Sequence, residues 1–195
     1  MVDRDAAERL HVESRAQWRG WLAEHHETSQ GVWLVVWKKT TGRARPTYEE
    51  QVLEALAVGW IDGQAKTVDD ERTMMWFTRR TPKSPWSASN KQRVEQLESE
   101  GLMRPAGHAA IEAAKANGMW SVFDDAERLI EPAELAILLD VDPTARANWN
   151  AYPPAVRRSA LSWIALAARD ETKSQRIVSI VSDASKGQRR PGRPR

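Results

Sequence analysis

Three cations, Arg79, Arg80 and Lys83, stand between Trp76 and Trp86 in this chain. From Arg72 to Val94 there are six basic residues and no acidic one. A solvated loop gains nothing from two tryptophans beside a cationic cluster, whereas a pocket for an anionic or planar group does. The guanidinium is a planar fork that matches carboxylate or phosphate. A helix start at Ser87 would add free N–H groups and the positive end of a helix dipole. Upstream, Gly59-Trp60-Ile61-Asp62-Gly63-Gln64 places Asp62 and Gln64 after Trp60 on a neighbouring strand. Asp62 can orient an arginine, and Gln64 and Asn90 can supply amide contacts. The candidate ligand-binding set is Trp60, Asp62, Gln64, Trp76, Arg79, Arg80, Lys83, Trp86, Ser87 and Asn90. A structural reading stands beside it, in which Asp62 forms a buried ion pair with Arg79 or Arg80 and Trp86 staples the loop.

Other chemistries find less support, and no residue is assigned a catalytic role. There is no Gly-x-Ser-x-Gly elbow, no Walker A loop and no Gly-x-Gly-x-x-Gly. His25 and His26 are adjacent, so on a helix they point about 100° apart and cannot share a metal as an i, i+4 pair can. Asp69-Asp70 and Asp124-Asp125 sit in turn-like contexts, where aspartate bonds its own backbone. The absence of cysteine excludes disulfides and thiol chemistry. No cofactor and no metal is expected.

The elements around the cationic segment follow from caps and periodicity. Ser14-Arg15-Ala16-Gln17 reads as a capping box opening a helix to about His26, with Trp18, Trp21, Leu22 and His25 on one face. Val32 to Trp37 is apolar on both faces and rich in β-branched and aromatic residues, which predicts a central strand. Thr47-Tyr48-Glu49-Glu50 is a second capping box. Its helix turns Val52, Leu53 and Leu56 inward and stops near Gly59. Strands are expected from Trp60, from Gln64 to Val68 and from Arg72 to Thr78, the last two as a hairpin around Asp69-Asp70-Glu71. Beyond Pro85 the pattern is helical. Gly101-Leu102 reads as a glycine C-cap, and Pro105, Pro132, Pro143 and Pro154 as first helical residues. Ala155 to Ala168 and Thr172 to Ala184 form a helical pair, and Trp120 to Glu131 reads as a link. The fold class is α+β: a small antiparallel sheet packed by helices, followed by a C-terminal all-helical region. The expected domains are 1–122 (α+β), 123–187 (helical) and 188–195 (a disordered basic tail).

Composition bounds the function. The chain has 195 residues with a formal net charge of +2, so it is not a polyanion binder as a whole. Five positive charges fall in the last ten residues without an acid, which leaves the body slightly acidic and its positive charge local. Arg190-Pro191-Gly192-Arg193-Pro194-Arg195 resembles the core of AT-hook peptides, which enter the DNA minor groove, although proline stands where the first core arginine belongs. No run approaches the roughly 18 apolar residues of a membrane span. The first residues lack a signal-peptide pattern, so no membrane insertion and a cytoplasmic location are expected. Ten tryptophans stand against two phenylalanines and two tyrosines. Those in periodic segments read as core; Trp60, Trp76, Trp86 and Trp120, at element ends or in loops, read equally as core or as pocket lining.

The segments Gly59 to Gln64, Phe77 to Ser87 and Gly101 to Gly107 resemble the YdeI/OmpD-associated proteins of bacteria. Leu135-Ala136-Ile137-Leu138-Leu139-Asp140 through Trp163 to Ile180 is similar to the C-terminal OmdA region of that family. The resemblance covers about Ser14 to Lys186. Members often have proline before the arginine pair and one residue between serine and tryptophan; here the early proline is missing and Pro85 fills the spacer. The resemblance implies bacteriocin protection or a stress role and brings no reaction with it. The expected function is a cytoplasmic, non-catalytic protective protein whose Trp/Arg/Lys loop binds an anionic small molecule or protein partner. Two alternatives remain: an enzyme acting on an anionic small molecule with Asp62 as acid or base, and a DNA-associated protein acting through its tail.

Overall fold

The computed structural model describes residues 4–188, and the chain falls into two compact units. The first holds residues 4–84 and 89–119, the second residues 85–88 and 120–188. The expected tail therefore lies outside the described residues apart from Gln188.

The first unit is built on a sheet of β1 (Arg9–His11), β2 (Val32–Trp37), β3 (Trp60–Thr67) and β4 (Arg72–Arg79), in the order β1-β2-β4-β3. β2 is central, as its two apolar faces require. Val32, Leu34 and Val36 join the core that also holds Trp18, Leu22, Ala55 and Phe77. Trp33 and Val35 join Met74 and Trp76 on the other face. α1 (Arg15–His25) brings Trp18 and Leu22, and α2 (Tyr48–Ala57) brings Ala55, to the first of these faces. The β3–β4 hairpin turns at Asp69, whose carboxylate accepts from the Glu71 and Arg72 N–H groups. β1 was not expected: Arg9-Leu10-His11 has one apolar residue, and its parallel pairing with β2 leaves no mark in the sequence. An irregularity between Asp62 and Ala65 is also new; Asp62 pairs with Phe77 and Ala65 with Met75, so two residues of β3 oppose one of β4.

The caps largely match the sequence reading. Thr47 and Glu50 complete a reciprocal capping box. Ser14 accepts from the Gln17 N–H, but the Gln17 amide oxygen reaches back to the Glu13 N–H rather than to that of Ser14. α3 (Ala88–Ser99) ends at Gly101, where Leu102 N–H bonds the Leu97 carbonyl at 2.8 Å and Gly101 N–H that of Glu98 at 3.1 Å. That is a Schellman motif. α4 (Pro105–Ala116) opens on proline, as do α7 (Pro143–Ala151) and α8 (Pro154–Ala165), whereas Pro132 sits one place earlier, as the N-cap of α6 (Ala133–Val141).

The second unit is helical. Its core joins Leu135 and Leu139 of α6, Ala145 and Trp149 of α7, Leu161 and Ile164 of α8, and Ile177 and Ile180 of α9 (Asp170–Ser185). The segment expected to be a link carries one helical turn, α5 (Asp124–Glu127), and its Ala126 is 2% exposed in that core. Glu131 ties the layer together, accepting from Trp149 Nε1 at 2.7 Å and Arg146 Nη1 at 2.8 Å. Among the described residues no helix is long and apolar enough to cross a membrane.

Gly107 carries a close approach that a side chain would destroy: a Cβ there would lie 2.4 Å from the Ala57 carbonyl oxygen. Gly107→Ala is expected to cost about 1–3 kcal/mol in chemical denaturation. Gly20, inside α1, has nothing within 4 Å of the point a Cβ would occupy, and Gly20→Ala should gain roughly 0.5–1 kcal/mol.

Candidate functional site

The junction of α2 with β3 organises the first unit. α2 is capped by Val58, and Gly59 turns the chain at φ +76°, a conformation that disfavours any residue with a Cβ. A Cβ at Gly59 would also lie 2.9 Å from the Ala106 carbonyl oxygen. The Ala57 carbonyl accepts from Arg104 N–H at 2.9 Å, so the start of α4 is docked against the end of α2. Two neighbouring cavities open here. The larger, about 380 Å³, is walled by α1, the end of α2, Leu97, Leu102 and Arg104 to Ala106. The smaller, about 220 Å³, is walled by Arg79, Arg80, Gly59 and Ala110. His26, Glu27, Val58 and Ala106 contribute to both.

Glu54 forms one wall of the larger cavity and is 6% exposed. Its Oε1 accepts from Arg15 Nε at 2.5 Å and Arg19 Nη2 at 2.6 Å, and its Oε2 from Arg19 Nε at 2.9 Å. Burial alone would raise this carboxyl, but the hydrogen bonds and charges of Arg19 and Arg15 outweigh it and hold Glu54 below the usual range. The Arg19 guanidinium is raised in turn by the same bond.

The arginine pair divides into an inner and an outer member. Arg80 is largely buried; burial pushes its guanidinium down to about 10, and the charge of Asp62 pulls the other way. Asp62 also accepts from the Tyr48 hydroxyl at 2.9 Å. Burial and that bond raise the Tyr48 phenol to about 12. Arg93 stands beside this group, forked onto Glu49 at 2.7 Å through both Nε and Nη2 and bonded to Asn90 Oδ1 at 2.8 Å. Arg79 differs. Its Nη1 donates to the Glu27 carbonyl at 3.1 Å, and among the described residues no carboxylate pairs with it.

The ten residues singled out in the sequence are thus distributed. Asp62 and Arg80 interact, with Asn90 reaching the same group through Arg93. Trp60 is 0% exposed in the helix-side core, its Nε1 donating to the His26 carbonyl at 3.2 Å. Trp76 lies on the opposite face of the sheet, edge-on to Trp33 at 5.4 Å and covered by Arg4 at 5.3 Å. Gln64 is exposed in the β3 irregularity and Lys83 is exposed in the loop. Trp86 and Ser87 belong to the second unit, where Trp86, 1% exposed, packs on Trp120 at 5.1 Å. Arg19, Glu54, Tyr48 and Arg104 carried no sequence signal. Their roles come from tertiary placement, and only the spacing of Glu54 among the inward residues of α2, one after Leu53 and two before Leu56, could have marked a buried acid.

Residues 10–110, just over half of the chain, match the family model described as Domain of unknown function (DUF8412). The chain belongs to that family. Residues 128–187 match a second model, described as Bacteriocin-protection, YdeI or OmpD-Associated. This DUF8412 protein therefore carries an OmdA region over α6 to α9, where Leu135 to Asp140 and Trp163 pointed. The Gly59–Gln64 and Phe77–Ser87 motifs lie within the first model's span, and the second model falls on the C-terminal region that resembled OmdA. No curated protein and no solved structure matches the chain.

Two outcomes follow from the charge geometry. Glu54→Ala strands two arginines and is expected to lower stability by about 2–3 kcal/mol at pH 7, between exposed and buried pairs. Because the folded carboxyl is held below its unfolded value, its contribution is present above the unfolded pKa and lost as pH falls through the folded one. The gap between wild type and variant in urea unfolding should therefore close in acid. In alkaline titration followed by phenolate absorbance, one of the two tyrosines should ionise only near pH 12, and Tyr48→Phe should remove that late step.

Proposed function

We propose that this protein is a non-catalytic protective protein of the YdeI/OmdA bacteriocin-protection type, acting in the cytoplasm, that binds an anionic ligand or partner group at the smaller cavity, beside Arg79. The observation that carries the reading is Arg79 itself: it lines a cavity of about 220 Å³ and holds a carbonyl, not a carboxylate. A guanidinium committed to one neutral acceptor keeps most of its donors for an incoming anion. Lys83, exposed nearby in sequence and with no ion pair among the described residues, adds long-range attraction. The OmdA region supports the protective role. Asp62 suits an anchoring role better than acid–base catalysis, because it already accepts from Tyr48 and acts on Arg80, and it is on the wall of neither cavity. The DNA reading depends on a tail outside the described residues, so the anion reading is preferred.

Inorganic phosphate or sulfate, titrated at low salt, should quench tryptophan fluorescence, and the effect should weaken as salt rises. Arg79→Ala should weaken the response at least tenfold while the melting temperature stays within a few degrees, since a half-buried cation bound only to a carbonyl near the surface contributes about 0–1 kcal/mol. Arg80→Ala should instead cost roughly 3 kcal/mol, as removal of a buried partner does. A wild-type response in Arg79→Ala, or no response at all at low salt, would sink the reading.

A further inference from the structure

We infer that the cavity of about 380 Å³ bounded by α1, the end of α2 and the start of α4 binds a small amphipathic organic anion, a monocarboxylate with a short apolar body. The inference is independent of anion binding at Arg79. The volume falls within the range of small-molecule sites. Leu22, Ala57, Val58, Leu97 and Leu102 give it an apolar lining, which an inorganic ion would leave uncovered. Two arginines reach it. Arg104 is exposed at the rim, and among the described residues its side chain makes no ion pair or hydrogen bond. Its position is fixed by its own N–H on the Ala57 carbonyl and by Pro105, which begins α4. Arg19 commits Nε and Nη2 to Glu54 and keeps Nη1.

Two carboxylates also reach the cavity, and they decide the sign of the ligand. Glu54 takes three donors from Arg15 and Arg19, so those three side chains sum to a net positive charge and leave a cation little more than one lone pair on Oε2. Glu27 is 80% exposed in its side chain, points to water and lies 3.8 Å from His26 Nε2. An ammonium ligand would therefore meet two arginines and one solvated glutamate. A neutral apolar molecule would fill the lining and leave Arg104 without a partner. A carboxylate head can take the fork of Arg104 in two parallel hydrogen bonds while its chain displaces water from the leucine-lined wall.

The test uses the full chain at low salt and a set of matched probes: hexanoate, hexan-1-ol, hexylamine and inorganic phosphate. Calorimetric titration should show hexanoate binding with a Kd at or below about 1 mM, with the alcohol and the amine at least tenfold weaker. Arg104→Gln should weaken hexanoate at least tenfold at an unchanged melting temperature, because the residue is exposed. Ala23→Leu, which adds bulk at an exposed position on the cavity wall, should weaken it as much. Neither variant should alter the phosphate response assigned to Arg79, and Arg79→Ala should leave hexanoate binding intact. Equal binding of the amine or the alcohol would overturn the inference, as would absence of hexanoate binding, wild-type affinity in Arg104→Gln, or loss of hexanoate binding in Arg79→Ala.

Discussion

A single buried carboxylate sets the geometry of the first unit. Glu54 sits on a helix among the apolar residues Val52, Leu53, Ala55 and Leu56, and an unpaired charge there would cost several kcal/mol. Two arginines from α1, one helical turn apart, close on it from the same side. The requirement to neutralise Glu54 therefore fixes both the rotation of α1 about its axis and its position along α2. That placement sets Trp18 and Leu22 onto the sheet and leaves Ala23 and His26 at the cavity mouth. The end of α2 is then held by Gly59 and by α4 docking through Gly107, two contacts that tolerate no side chain. The glycines bring α2 and α4 together and the charge cluster sets α1, and the cavities lie where these three elements meet.

The high tryptophan content belongs to the same scheme. An indole fills space like an aliphatic core residue but also carries one N–H that needs a partner when buried. Trp18 donates to the Gln51 carbonyl on α2, Trp33 to the Arg4 carbonyl, Trp60 to the His26 carbonyl beyond α1, and Trp21 and Trp37 to Glu8 and Glu13. Each bond joins segments distant in sequence. In the second unit Trp149 does the same with Glu131. The indoles thus act as directional pins within the cores, which a phenylalanine of similar bulk could not do.

What was legible in the sequence was local. The Thr47 box, the Asp142-Pro143 start, the Gly101 cap and the central strand Val32–Trp37 each rest on residues within a few positions of one another. Features defined by a distant partner were not. β1 needs only the edge of β2, and three residues with one apolar side chain give no periodicity. The Asp62–Ala65 irregularity depends on register with β4. α5 is too short for a repeat, and its buried Ala126 is a residue type common both inside and outside a core. For the candidate site, the arginine pair was visible as a charge run, while the separation of Arg80 inward from Arg79 outward required the strand's alternation to be placed against a core.

Charge runs mislead because pairing, not charge, decides what a cation can do. Among the basic residues of the first unit, Arg15 and Arg19 are committed to Glu54, Arg93 to Glu49, and Arg80 is buried in the field of Asp62. Arg15 and Arg19 cannot leave Glu54 without stranding a buried carboxylate, whereas Arg93 holds a half-exposed one. Arg79 and Arg104 have no such obligation and stand at the two cavities. The chemistry available to a ligand is therefore set by a subtraction: the cations that remain once every buried acid has been neutralised. A protein whose body is slightly acidic by sequence can in this way present locally positive cavity walls, since Glu54 is satisfied inside by Arg15 and Arg19 and Glu27 is solvated outside, while Arg79 and Arg104 keep donors that no carboxylate takes.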